Sequence, residues 1–180
     1  MHHIPILVQP ILEYLLPAAR ILDGTVGAGG HSAALLEACG GALIGLDRDP
    51  QALALARERL ASFGARAQII HSSYADMRAV VKAHGWESVD AILLDLGASS
   101  MQFDTAERGF SFRADAPLDM RFDPTSDDPT AAEIVNTWNE DDLAHIFYRY
   151  GEEPQGRRLA RAVARARPLM TTGALAAAIE

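Results

Sequence analysis

Residues 21–32 read Ile-Leu-Asp-Gly-Thr-Val-Gly-Ala-Gly-Gly-His-Ser, and no other stretch restricts the possible folds as much. A short apolar run ends in an acid, enters a glycine cluster and continues with helical spacing, which describes a strand, a tight turn and a helix N-terminus. Gly27, Gly29 and Gly30 remove the Cβ atoms that would keep a ligand from backbone N–H groups, and they allow positive φ where the chain reverses. Asp23 narrows the ligand chemistry, because a carboxylate beside the loop repels a pyrophosphate and can hold an ammonium group. The dinucleotide spacing G-x-G-x-x-G also fails, since Ser32 stands where the third glycine belongs. Both features favour S-adenosylmethionine over NAD. A purely structural turn in an α/β domain is the other reading of this stretch.

The pattern then repeats. A helix is predicted over 9–16 with Pro10 in its first turn, followed by a strand over 20–23. Leu35, Leu36 and Cys39 carry a helix to Gly40-Gly41, and a strand follows over 42–47. Asp49-Pro50 reads as an N-cap with proline at N1, opening a helix to about Phe63. A strand over 67–71 is followed by Ser73 and Asp76 at capping-box spacing, opening a helix to about His84. The run 90–96 is continuously apolar between its acids, as a strand buried on both faces should be. Alternating strands and helices imply a parallel sheet with right-handed crossovers, in which ligands collect at the carboxyl ends of the strands. Asp23, Asp47 and Asp95 are delivered to those ends.

Residues 97–128 lose all period and are expected to form a long ordered loop over the site. Helical patterning returns over 130–138, after the Asn139 cap to about Tyr150, through the arginine set to about Arg167, and from Thr172 onward. Four parallel strands are the first part of a doubly wound sheet, the fourth would be an apolar edge, and the last helix meets Glu180 without a stop signal. The expectation is a chain whose C-terminal strands are missing.

Composition bounds the partners. A single cysteine, Cys39, excludes an internal disulfide framework and fits a reducing compartment. The N-terminus carries no Lys or Arg before its apolar residues and no run approaches a membrane span, so a cytoplasmic protein without a membrane partner is expected. The net charge of −8 speaks against a polyanion at first sight. Its distribution is uneven: residues 146–180 hold six arginines against three glutamates. Arg157, Arg158, Arg161 and Arg165 share much of one helix face, either as a nucleic-acid contact or as a solvated surface. His2, His3, His71, His84 and His145 have no metal-ligand spacing, so no metal is expected.

Asp47 follows Gly29 at close to the separation at which an acid meets a ribose. Tyr74 is placed either to pack near an adenine or to join the core. Asp95, at the mouth of the cleft, can hold a cofactor amino group, accept a proton from a substrate amine, or cap the next turn. Phe103, Phe110 and Phe112 read either as faces for a base drawn from its stack or as a cluster pinning the loop. Arg108, Arg113 and Arg121 read as phosphate contacts or as partners of Glu107, Asp115, Asp119 and Asp123.

Several stretches together are similar to one family. Residues 23–32, Asp47-Arg48-Asp49-Pro50, Leu94-Asp95-Leu96-Gly97-Ala98-Ser99-Ser100-Met101-Gln102, Glu107-Arg108-Gly109-Phe110-Ser111-Phe112-Arg113, Asp115-Ala116-Pro117-Leu118-Asp119-Met120-Arg121 and Tyr150-Gly151-Glu152-Glu153 closely resemble the RsmH (MraW) methyltransferases. The resemblance implies a class I S-adenosylmethionine-dependent methyltransferase fold: a Rossmann-like α/β sheet interrupted after its fourth strand by a helical insertion for substrate recognition. It implies N4 methylation of a cytidine in 16S ribosomal RNA of the small subunit. It places cofactor contacts on Gly29, Gly30, His31, Asp47, Tyr74, Asp95 and Gln102, beside Gly27 from the turn itself. Asp95 is the candidate catalytic acceptor for the N4 proton. The domains expected are a cofactor-binding part over 1–104 and a loop and helical insertion over 105–180, incomplete at its C-terminus. Ala98 stands where the family usually has Val, and the family's later strands and its Ser-Phe-His-Ser-Leu-Glu-Asp motif are not in the sequence. Two other readings compete: a non-catalytic RNA- or ribosome-binding fragment, and an NAD-dependent oxidoreductase using the same turn.

Overall fold

The computed structural model describes residues 5–180, so His2 and His3 lie outside the described residues. The chain divides into two compact units, Met1–Gly97 and Ala98–Glu180. That boundary precedes the one read from the sequence at 104, because the helix Ser100–Asp104 groups with the second unit.

The first unit runs α1 (Val8–Leu15), β1 (Arg20–Asp23), α2 (Gly30–Ala38), β2 (Ala42–Asp47), α3 (Pro50–Leu60), β3 (Ala67–His71), α4 (Met77–Ala83) and β4 (Ala91–Leu93). All four strands are parallel in the order β3-β2-β1-β4, so the α/β fold read from the sequence is the one found. Side chains alternate across the sheet. Ile21 and Leu43 pack with Leu35, Leu36, Leu53 and Ala56 on one face, while Leu22, Ile44 and Leu46 pack with Val81 on the other. Asp49 caps α3 by accepting the Gln51 N–H at 2.9 Å, with Pro50 as the first helical residue.

Three local expectations are corrected. The fourth strand is short, 91–93 rather than 90–96, and Ile92 is 45% exposed, so it is not buried on both faces. Among the described residues it pairs only with β1 and lies at the edge of the sheet, outside the apolar cluster under α4. Ser73 accepts the Ala75 N–H and starts a short 3-10 turn, Tyr74–Asp76, ahead of α4, in place of a capping box with Asp76. The helix predicted to Phe63 stops at Leu60 and continues as 3-10 turns with a break at Gly64.

The second unit contains α5 (Ser100–Asp104), α6 (Ala131–Thr137), α7 (Glu140–Arg149), α8 (Gly156–Ala166) and α9 (Thr172–Ile179). Leu118, Val135, Leu143, Ala144, Ala160, Val163 and Leu169 form its core. Thr130 and Glu133 make the expected capping box for α6, and Asn139 caps α7. The segment predicted as a loop opens with α5 and a 3-10 turn, Ala106–Arg108. Arg108 is buried and donates through Nη2 to the carbonyls of Arg121 (3.0 Å) and Phe122 (2.9 Å). Phe110 meets Phe103 and Phe122 edge-on, and Arg121 forks onto the Asp119 carboxylate at 2.7 and 3.0 Å. Arg108, Arg121, Phe103 and Phe110 thus hold the loop together. Phe112, by contrast, is 82% exposed.

Candidate functional site

The strand order reverses between β1 and β4, and the crevice at the carboxyl ends of such a pair is where open α/β sheets take ligands. Gly24 extends the pairing by donating its N–H to the Leu93 carbonyl at 2.9 Å. A Cβ there would lie 2.5 Å from Leu94 Cδ2 and 3.1 Å from Tyr74 Cβ, so a larger residue would have to displace the Leu94 side chain and crowd Tyr74. Thr25 Oγ1 accepts the Asp95 N–H at 2.7 Å and ties the turn after β1 to the end of β4.

Asp23 is 1% exposed. Its Oδ1 accepts the Thr25 N–H at 3.1 Å and its Oδ2 accepts the Ser32 hydroxyl at 2.6 Å. The carboxylate therefore braces the turn against α2 and does not offer itself to an ammonium group, which corrects the argument from charge beside the loop. Burial raises its pKa to about 6, against the lowering effect of the Ser32 and Thr25 hydrogen bonds.

The three glycines divide their work. Gly27, at φ 53°, has only the Thr25 carbonyl near a notional Cβ, at 3.9 Å, and leaves open space before the turn. Gly29, at φ 79°, and Gly30 instead admit close packing: a Cβ would come within 3.3 Å of Ala56 Cα and within 3.0 Å of Pro5 Cγ, respectively. Asp47 Oδ2 accepts the Gly27 N–H at 2.8 Å and Oδ1 accepts the Asp49 N–H at 2.9 Å. Gly30 and His31 open α2, whose first N–H groups have no intrahelical partner.

His31 Nε2 bonds the Ile6 carbonyl at 2.7 Å, and its Nδ1 lies 3.9 Å from Asp95 Oδ2. The Asp95 side chain is 52% exposed. Tyr74 is 44% exposed beside Gly24. Gly27, Gly29, Gly30, His31, Asp47, Tyr74 and Asp95 thus belong to elements of the first unit that meet at the crevice. Gln102 belongs to the second unit and is buried there; its Oε1 accepts the Ser99 N–H at 2.9 Å in a capping box for α5.

The donor set fits a nucleoside bearing an amino-acid tail. Free helix-start N–H groups suit a carboxylate, Asp47 suits a vicinal diol, Tyr74 offers an apolar face, and Asp95 offers an exposed acceptor. Thr25 and Ser32 were not singled out in the sequence. The signal was a hydroxyl two residues and another nine residues after an acid that was itself read as facing a ligand. Among the described residues, no group of three or more His, Cys, Asp or Glu could hold a metal ion. No described helix is long and apolar enough to cross a membrane.

The relatives of the chain are numerous. It is 50% identical to the ribosomal RNA small subunit methyltransferase H of Nitratidesulfovibrio vulgaris (Miyazaki F), a match covering 99% of this chain and 51% of that one. It is 46% identical to the protein of the same description from Dehalococcoides mccartyi BAV1, covering 99% and 52%. The chain therefore spans about half the length of these curated relatives. The crystal structure of an rRNA methylase from Streptococcus thermophilus aligns with a TM-score of 0.43 at 24% identity, over 54% of this chain and 57% of that one. The model of the MraW methylase family matches residues 1–180, and the chain belongs to that family.

Proposed function

We propose that the chain takes part in methyl transfer from S-adenosylmethionine to the N4 amino group of a cytidine in 16S ribosomal RNA of the small subunit. The observation that carries this reading is the convergence, at the switch point between β1 and β4, of the α2 N-terminus, the Asp47 carboxylate and the half-exposed Asp95 carboxylate. Family membership and the printed description of the half-identical relatives support it.

When bound, S-adenosylmethionine supplies an electrophilic methyl carbon on a sulfonium. In this reading, the N–H groups of Gly30 and His31 hold its carboxylate, and Gly27 leaves the space in which it lies. Gly29 fixes the start of α2, and Asp47 receives the ribose hydroxyls on oxygens already oriented by Gly27 and Asp49. Tyr74 packs against the adenine. Asp95 accepts a hydrogen bond from the substrate amine, which localises the nitrogen lone pair as the new bond forms. The first unit would bind the cofactor and the second would recognise substrate, in a cytoplasmic setting.

The test is methyl transfer from labelled S-adenosylmethionine to under-methylated small subunits, with mass-spectrometric mapping and an Asp47→Ala control. Label on cytidine N4 that disappears in the control is the expected result. Binding of S-adenosylhomocysteine without any label would overturn catalysis by this chain and leave a cofactor-binding segment. Preferential binding of NADH would overturn the methyltransferase reading altogether.

A further inference from the structure

We propose that His31 and Asp95 work as one acceptor pair: the imidazole Nδ1 and a carboxylate oxygen share an amine donor at the crevice, and His31 takes on the proton that Asp95 receives from it. The proposal rests on the methyltransferase reading above and adds to it the route by which a proton leaves the amine.

The ring is oriented from behind. A carbonyl oxygen only accepts, so the 2.7 Å contact of His31 Nε2 with the Ile6 carbonyl places the ring proton on Nε2. Nδ1 of the neutral ring is then a lone pair, and it faces Asp95 Oδ2 at 3.9 Å. The two acceptors are too far apart to bond each other, and neither has a hydrogen-bond partner among the described residues. A nitrogen about 2.8 Å from each would bridge them. The His31 side chain is 11% exposed, whereas that of Asp95 is 52% exposed and opens on the crevice. A donor therefore arrives at Asp95 first, with the imidazole behind it.

The charges around the ring favour this order. Asp95, past the end of β4, faces it directly. Asp23 at the end of β1 is a second carboxylate, near enough for its charge and that of His31 to interact. Arg59 of α3 is the opposing cation, with Nη1 3.1 Å from a notional Cβ on Gly30, and the segment before α1 supplies the Ile6 carbonyl. An imidazolium near two carboxylates is stabilised by both. Methylation at nitrogen also requires a base. The nitrogen lone pair forms the N–C bond, the electron pair of the broken C–S bond stays on sulfur, and one N–H proton must leave. Asp95 receives that proton, and His31 Nδ1 takes it on, an imidazole being more basic in water than a carboxylate. Asp95 is then ionised again, and the proton returns to solvent through the crevice.

The test compares two ligands of the full chain by calorimetry: S-adenosylhomocysteine, and sinefungin, in which an amine-bearing carbon replaces the methylated sulfur. The ratio of their affinities cancels the contacts they share and reads the amine alone. Sinefungin is expected to bind the parent about tenfold more tightly at pH 8, the worth of one charge-assisted hydrogen bond. Two variants separate the pair from the Ile6 contact. His31→Gln keeps an N–H donor toward Ile6 and has no acceptor at the Nδ1 position, whereas His31→Asn keeps that acceptor and loses the donor. The advantage should fall to about twofold or less in His31→Gln and in Asp95→Asn, and should survive in His31→Asn. Lowering the pH to about 5 should remove it in the parent, because a proton on Nδ1 turns the acceptor into a donor that pairs with Asp95 directly. Asp23, with a pKa of about 6, titrates in the same window, so the series is repeated on Asp23→Asn, where the loss should persist. Long-range nitrogen-15 spectra of the parent should show His31 as the Nε2–H tautomer at high pH.

Circular dichroism melts establish that each variant is folded; the pH series and the spectra of the parent decide the matter for any that is not. Binding of S-adenosylhomocysteine with no advantage for sinefungin overturns the pair and leaves the methyltransferase reading in place. An advantage kept in His31→Gln and lost in His31→Asn also overturns it, and assigns the His31 side chain to holding Ile6 alone. A proton on Nδ1 of the neutral ring does the same. Failure of both ligands to bind removes the methyltransferase reading and this proposal with it.

Discussion

The buried polar side chains of the first unit are Asp23, Ser32 and Asp49, and those of the second are Gln102, Arg108, Asp123 and Thr172. The difference lies in their partners. In the first unit they act within a turn or at the start of a helix: Asp23 on Thr25 and Ser32, Asp49 on Gln51. In the second, Gln102 and Asp123 also bond locally, to Ser99 and Thr125, but the other two reach along the chain: Arg108 to Arg121 and Phe122, Thr172 to Ala114 and Ala116. Asn136 likewise donates to the Leu169 carbonyl and accepts its N–H. A parallel sheet satisfies its own backbone, so its interior can be filled with Leu and Ile. The irregular backbone between α5 and α6 has no such ladder, and side chains supply the missing donors and acceptors.

The largest effect that tests this contrast is expected from Leu43→Ala, a fully buried residue of the central apolar cluster. Its loss should cost about 2–5 kcal/mol, read as a lowered urea midpoint. A far smaller cost would mean that the first unit does not depend on its apolar core as described.

Asp23 gives the next largest effect, and its sign is unusual. Its folded pKa is raised from 3.8 to about 6. The folded state therefore binds the extra proton, and this contribution is complete below pH 3.8 and lost as pH rises through about 6. By the size of the shift, the ionised group costs on the order of 3 kcal/mol at neutral pH relative to its protonated form. The stability of Asp23→Asn relative to the parent should rise across that window, measured by thermal melts at matched pH. A flat difference would show that the carboxylate is not desolvated.

In the second unit, Asn136→Ala removes both bonds to Leu169 and strands its buried backbone groups, at a cost of about 1–3 kcal/mol in the same denaturation assay. A neutral result would break the claim that long-range side-chain bonds order this unit. Asp119→Asn should have the smallest effect, about 1 kcal/mol or less. The hydrogen bond from Arg121 holds the Asp119 carboxyl below its usual range, so its contribution is present at neutral pH and is lost as pH falls through the lowered pKa. Melts of the Asp23 and Asp119 variants should thus diverge from the parent in opposite pH directions.

The same contrast governs what could be read from the sequence. β1, β2 and β3 lie where apolar runs and glycine stops placed them, and the Asp49-Pro50, Thr130 and Asn139 starts are local signals that survive folding. Strand β4 lies at the sheet edge as expected, but its length and its burial on both faces were misjudged, because an apolar run does not report what packs on either side of it. Asp23 was misjudged because a motif gives the position of an acid and not the direction of its oxygens. The contact of His31 with Ile6 and Asp95 joins residues far apart in sequence, as do the clasps of Arg108 and Asn136. Periodicity carries no information about such pairs.

Asp47 has a consequence of its own. Each of its oxygens is aimed by a backbone N–H, one from the glycine turn and one from the start of the α3 cap. Both C–O directions are therefore set before anything binds. A hydroxyl pair arriving there meets an acceptor that has already lost its rotamer freedom in folding, an entropy of about 0.5–1.5 kcal/mol that binding would otherwise have to supply. Preorganisation of this acid is thus a product of the turns on either side of it, and affinity at the crevice is governed partly by residues that need not touch a ligand.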